Sequence, residues 1–170
     1  MNIKPSNTDG FLIIKKYRFI PTFTSPYKTI IELELYNQNI CVVSFYPHNK
    51  GNEKNKYKIR LNYKPGHIKA ILKASLEAFF SLGLHEYAFI FNAANDEKKV
   101  EQYNSRYSAY LLFLENYYTD YNDCYKKGSI TLNTYLVYHS SYEFKEQADI
   151  FYRQFEEKIY LENQLPETDK

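Results

Sequence analysis

The sequence predicts an α+β domain: an N-terminal antiparallel β-meander followed by α-β-α-β-α, with the helices packed on one mixed sheet. Three observations predict it. Apolar and polar residues alternate with a period of two in the first third of the chain. The period changes to helical spacing just after Pro65-Gly66. From there to the end, helical and strand-like segments take turns.

The first strand is read over 11–24 (FLIIKKYRFIPTFT), a β-rich run that stops near Pro26. In 28–36 (KTIIELELY), Ile31, Leu33 and Leu35 share one face, with Glu32 and Glu34 on the other, the pattern of a half-buried strand. Asn37-Gln38-Asn39 suits a tight hairpin turn into a third strand, 40–47 (ICVVSFYP). After the polar stretch 48–56, residues 57–63 (YKIRLNY) alternate again and are read as a fourth strand.

Ile68, Ile71, Leu72, Phe79 and Leu82 then recur at helical spacing, and Gly83 suits a C-cap. Residues 86–92 (EYAFIFN) are short and almost wholly apolar, as in a central strand covered on both faces. Asn95-Asp96 is read as the N-cap of a long helix reaching residue 122. Gly128 is expected to break the chain there. A last strand is expected over 129–139 and a last helix over 142–162, with Phe144, Ala148, Phe151, Phe155 and Ile159 on one stripe. The whole is expected to be one domain over 1–165, with 166–170 as a frayed tail.

Composition bounds the function. Of 170 residues, 44% are apolar and 25% charged, ordinary values for a globular chain. The net charge of +2 provides no global basic field, so nucleic acid would have to be held by a local patch. No apolar run reaches the length of a membrane span, and the first residues lack the apolar core of a signal peptide, so a cytoplasmic location and no membrane partner are expected. Cys41 and Cys124 are expected to be reduced thiols. The aromatic share is high, with 19 Tyr, 12 Phe and no Trp.

Seven of the tyrosines crowd into 103–125 (YNSRYSAYLLFLENYYTDYNDCY). On a helical projection, Tyr103, Tyr107, Tyr110, Leu114, Tyr117, Tyr118 and Tyr121 fall within an arc about 100° wide. No second apolar stripe exists on this segment, so the tyrosine stripe is expected to be its buried face, with Tyr125 off the seam and Leu112 the misfit. Arg106 flanks the stripe. It can pin the helix as a snorkelling cation, or bind an anion beside Asn92, Asn95 and Asp96, beyond the carboxyl end of strand 86–92.

No Walker loop, dinucleotide fingerprint or nucleophile elbow is present, and nothing calls for a cofactor. The histidines lack metal-ligand spacing, so no metal is expected. His85 and His139 stand at strand ends and, with Glu86, are weighed as acid–base groups for RNA cleavage against scattered loop histidines. Lys54, Lys56, Lys58, Arg60 and Lys64 lie in the densest basic run, 50–64, interleaved with Tyr57 and Tyr63. That run can track a phosphate backbone or guard a hairpin edge.

Residues 66–139 resemble, in layout, a group of small uncharacterised bacterial proteins with an apolar strand like YAFIFNA, an Arg- and Tyr-bearing helix like YNSRYSAYLLFL and a strand like TYLVYHSS. The resemblance implies a phage-defence or toxin–antitoxin-like setting and aligns the family's helix arginine with Arg106. The order of elements is also similar to the core of GCN5-type acetyltransferases, whose coenzyme A loop corresponds to NYKPGHIKAI, with one glycine, Gly66. Three functions follow as expectations: a cytoplasmic interaction protein that binds another macromolecule or itself, an RNA-binding protein or ribonuclease toxin, and a degenerate acetyltransferase-like protein.

Overall fold

The computed structural model describes residues 11–19, 29–47, 65–80, 86–93, 102, 104–118 and 120–164. It shows an α+β fold built on one mixed sheet. The strands are β1 (Phe11–Phe19), β2 (Thr29–Tyr36), β3 (Ile40–Pro47), β4 (Ala88–Asn92), β5 (Cys124–Ser129) and β6 (Thr134–His139). The helices are α1 (Pro65–Phe80), α2 (Ser105–Tyr117) and α3 (Lys145–Gln164). Strand order is β1-β2-β3-β4-β6-β5. All neighbours are antiparallel except β3 and β4, which run parallel across the connection that carries α1.

The β1–β2–β3 meander stands as the alternation predicts. Its β2–β3 turn uses Gln38 and Asn39 at φ 55° and 54°. A side chain is strained there, and Asn bears that backbone best because its short amide can bond locally. The expected fourth meander strand, 57–63, lies outside the described residues. So does the end of the first expected strand, 20–24.

The sheet is covered on both sides. Ile31, Leu33, Leu35, Cys41, Val43, Phe89, Phe91, Tyr135 and Val137 pack against α1 and α2. Ile40, Val42, Ala88, Ile90, Leu136 and Tyr138 pack against α3 through Ala148 and Tyr152. β4 therefore lies between two cores, as its apolar run predicts. β2 departs from expectation. Its polar face is also covered, leaving Glu32 only 2% exposed. The Tyr46 hydroxyl donates to Glu32 Oε2 at 3.0 Å, so the carboxylate is buried with a donor beside it.

The long helix expected over 95–122 is corrected at both ends. α2 starts at Ser105 because Asn104 is extended (φ −65°, ψ 163°) and its side chain accepts the Tyr107 N–H. It stops at Tyr117, and Tyr118 is extended. The single strand expected over 129–139 is a hairpin. β5 and β6 meet through a turn at 130–133 that ends on Asn133 at φ 54°. Gly128 lies inside β5 rather than breaking the chain. A Cβ there would collide with the Tyr107 hydroxyl and come within 2.7 Å of the Tyr135 ring. Glycine is required by that close packing, not by a turn.

Most of the tyrosine seam is buried. Tyr107, Tyr110 and Tyr118 are in the core and Tyr121 is half-buried. Tyr117 is 45% exposed instead, and Phe113 takes the buried place. The helical projection fails there because the helix ends at Tyr117. Tyr117 stacks on Phe113 at 4.8 Å, with Lys69 of α1 over its ring. Tyr103 lies outside the described residues.

Candidate binding cleft

The expected anion site comes first. Asn104 is fully used: its backbone N–H donates to Asn133 Oδ1 at 2.9 Å, its Nδ2 to the Ala93 carbonyl at 2.7 Å, and its Oδ1 caps α2. The Ala93 N–H donates to the Asn133 carbonyl at 2.9 Å. This buried knot ties the end of β4, the start of α2 and the β5–β6 turn together. Arg106 follows the cap by two residues. Arg106 is half-buried, and burial pushes the Tyr110 phenol up while the Arg106 guanidinium beside it pulls the other way. Asn92 ends β4 with its Oδ1 buried and unpartnered. Asn95 and Asp96, which would complete the site, lie outside the described residues.

Across β6 from Asn92 stands Thr134, its register partner. The Thr134 hydroxyl donates to Glu156 Oε1 at 2.9 Å, since a carboxylate has no proton to give. Its contact with Tyr152 at 2.9 Å is therefore accepted from the phenol. The order Tyr152 to Thr134 to Glu156 pins α3 to the sheet.

His139 stands at the end of β6, and its Nδ1 meets the Ser141 hydroxyl at 2.6 Å and the Ser141 backbone N–H at 3.1 Å. An Nδ1 that accepts a backbone N–H carries no proton, so the neutral ring holds its proton on Nε2. The imidazole thus closes the turn after β6. His85 lies outside the described residues, as do Lys54, Lys56, Lys58, Arg60 and Lys64. Glu86 is exposed.

Beside this turn opens a cleft of about 440 Å³, lined by Asn122, Asp123, Cys124, Tyr125, Tyr138, Ser140 and Lys145. It lies between the start of β5, the end of β6 and the first turn of α3. Short-range bonds build its walls. The Asp123 N–H donates to the Asp120 carbonyl at 3.0 Å, and the Ser140 N–H to the Asp123 carbonyl at 2.9 Å. The Cys124 thiol donates to the Asp120 carbonyl at 3.2 Å. The Tyr142 phenol donates to the Gln38 carbonyl at 2.6 Å, anchoring the segment before α3 to the distant β2–β3 turn.

Aromatic rings line up from the core to the cleft. Tyr142 packs on Tyr138 with centroids 5.3 Å apart, and Tyr138 stacks on Tyr125 at 4.8 Å and 20°. Tyr125 is the outermost ring and is 43% exposed. Burial first, then the Asp149 carboxylate and Tyr125, push the Tyr138 phenol up to about 12. Asp149 lies one helical turn beyond Lys145, and its Oδ1 is buried with no hydrogen-bond partner. The cleft thus combines a π surface with one carboxylate, Asp123, and one lysine, Lys145. Sequence reasoning missed it. The available signal was Tyr125 itself, the one tyrosine of 103–125 that the projection leaves off the buried seam.

Among the described residues no group of three His, Cys, Asp or Glu side chains is placed to hold a metal ion. No described helix is long and apolar enough to cross a membrane. Compared with known proteins, the chain matches no family model, no curated protein and no solved structure.

Proposed function

We propose that the protein is an interaction module that binds a segment of another macromolecule, with the cleft at the β5–α3 corner as the point of contact. The observation that carries this reading is the Tyr125–Tyr138 stack, which brings an aromatic ring from the core to the surface at the edge of the sheet. Exposed aromatics beside polar rims are common anchors of recognition, because a rigid ring buries much area at little entropic cost. The edge position adds to it, since among the described strands β5 pairs with β6 alone.

A cytoplasmic setting belongs to this proposal, supported by two buried thiols and no disulfide. A place in a phage-defence or toxin–antitoxin-like locus rests on the layout resemblance, and the neighbouring genes test it. The direct test is selection of a random peptide library on the wild-type chain, with counter-selection on Tyr125→Ala. We expect enrichment of peptides that bind the wild type and not the variant. Enrichment that ignores Tyr125, or salt-dependent RNA binding with no peptide enriched, would overturn the reading.

A further inference from the structure

We propose that the outer edge of β5 is a strand-addition site: it takes an extended acidic segment of a partner protein, which pairs antiparallel with Lys126 and Gly128 and sets carboxylates opposite Lys126 and Lys127. This rests on the reading of the β5–α3 corner as a macromolecular contact and names the binding mode and the partner's chemistry.

Three observations carry it. The first is which backbone groups face outward. The Ser140 N–H donates to the Asp123 carbonyl, and these two residues stand opposite each other, one step beyond the Cys124–His139 pair. In an antiparallel ladder, hydrogen-bonded and non-hydrogen-bonded pairs alternate. Tyr125, Lys127 and Ser129 therefore bond to β6, whereas Cys124, Lys126 and Gly128 turn their N–H and C=O groups away from it. Cys124 agrees with this alternation, since its N–H goes to the Tyr121 carbonyl instead. Among the described residues no hydrogen bond is made to the outward groups of Lys126 and Gly128. Gly128 is exposed, and exposure of a residue without a side chain is exposure of its backbone. Open N–H and C=O groups along an edge are a template for another strand.

The second observation is charge. Lys126 lies on one face of the sheet over the Tyr121 ring, at 4.0 Å, and Lys127 on the other over the Tyr152 ring, at 5.7 Å. Neither forms an ion pair among the described residues. Asp123 precedes the strand, and within β5 two lysines and no carboxylate give a charge of +2. Opposite charges directly across two strands attract, and like charges repel. The third observation is what the same lysines exclude. The two antiparallel registers that best overlap two copies of β5 through their outward groups put Lys126 opposite Lys126 or Lys127 opposite Lys127. The edge thus rejects a second copy and selects an acidic strand.

The register sets the partner's sequence pattern. Residues opposite Gly128, Lys127 and Lys126 follow one another along an antiparallel partner. A ring in the first position lies over the bare Gly128 backbone, which has no side chain to block it. Carboxylates in the second and third positions meet one lysine on each face. The next residue lies opposite Tyr125 and packs on its exposed ring.

The test is a titration of the full chain with the capped hexapeptide Thr-Phe-Glu-Glu-Val-Thr, followed by backbone amide shifts in NMR. Saturable binding is expected, with the Lys126 and Gly128 amides shifted furthest and protected from hydrogen exchange. N-methylation of the phenylalanine or of the second glutamate removes a partner N–H that points at β5 and should abolish binding. N-methylation of the first glutamate, whose N–H points away from β5, should leave binding in place. The Gln-Gln counterpart should bind about fivefold more weakly. The double variant Lys126→Glu, Lys127→Glu should prefer the Lys-Lys counterpart. Binding indifferent to the position of the N-methyl group, or no saturation, overturns the proposal, as does an oligouridylate that binds the same amides more tightly. The peptide selection separates the two levels. Tyr125-dependent peptides that carry the aromatic-acidic-acidic pattern support both, and Tyr125-dependent peptides without acidic residues overturn this inference alone. If no Tyr125-dependent peptide emerges but the hexapeptide still saturates the edge, the cleft falls as the point of contact and the strand site stands.

Discussion

The two faces of the sheet come from the same strands and differ in what they bury. The face under α1 and α2 is closed by apolar side chains and tyrosines, with Phe89, Phe91, Tyr107, Tyr110 and Phe113 at its centre. The face under α3 mixes Ile40, Val42, Ile90 and Leu136 with polar groups: Glu32 with Tyr46, and Thr134 with Tyr152 and Glu156. It also holds the Asp149 oxygen that has no partner. The first face is closed by this packing. The second keeps hydrogen-bonding capacity at its margin, and the cleft opens at that margin.

Phe89→Ala is the largest break of the comparison. It empties the middle of the closed face, which should lower stability by about 4 kcal/mol in urea denaturation. Gly128→Ala tests the same face by overfilling it. The new methyl meets Tyr107 and Tyr135, and a loss of about 2 kcal/mol is expected. A neutral result would mean that Tyr107 swings away and that the seam is looser than its contacts indicate. On the mixed face, Tyr152→Phe removes the donor to Thr134 and keeps the ring. About 1 kcal/mol should be lost in the same assay.

Alkaline pH acts on both faces through their tyrosines. Burial raises the phenols of Tyr110 and Tyr118 on one side and of Tyr138, Tyr142 and Tyr152 on the other, Tyr138 to about 12. Each such ring favours the native state while neutral. That stability is fully present below an unfolded-chain value of about 10 and is lost as pH rises through the folded values. Absorbance at the phenolate band should show the buried rings ionising together with unfolding. Independent titration of every ring while the fold persists would contradict the burial. Asp149→Asn should have the smallest effect on stability, within about 0.5 kcal/mol of zero, because the amide keeps the shape of a half-buried side chain whose Oδ1 makes no hydrogen bond.

Much of the fold was legible in the sequence because its signals are local. The period-two runs mark β2 and β3, the apolar run marks β4, and the α3 stripe marks a helix with one covered side. The reading failed where local signals compete. Asn95-Asp96 and Asn104 can both cap a helix, and Asn104 prevails at α2 because β4 and the β5–β6 turn supply partners for its remaining groups. Gly128 reads as a breaker until Tyr107 is seen against it. With the true end of α2 hidden, the lysine-bearing strand β5 was hidden too, and the cleft lies at its start.

The sequence by itself determined the α+β class, the order of most elements and the burial of Tyr107, Tyr110 and Tyr118, because hydrophobic periodicity is written residue by residue. Tertiary structure alone decided that β5 stands at the edge of the described strands, that Tyr125 stacks on Tyr138, and that Asp149 has a buried oxygen without a donor. The reason is physical. Those facts depend on which segments meet across the sheet, and residues 125, 138 and 149 come together only after β5, β6 and α3 have packed.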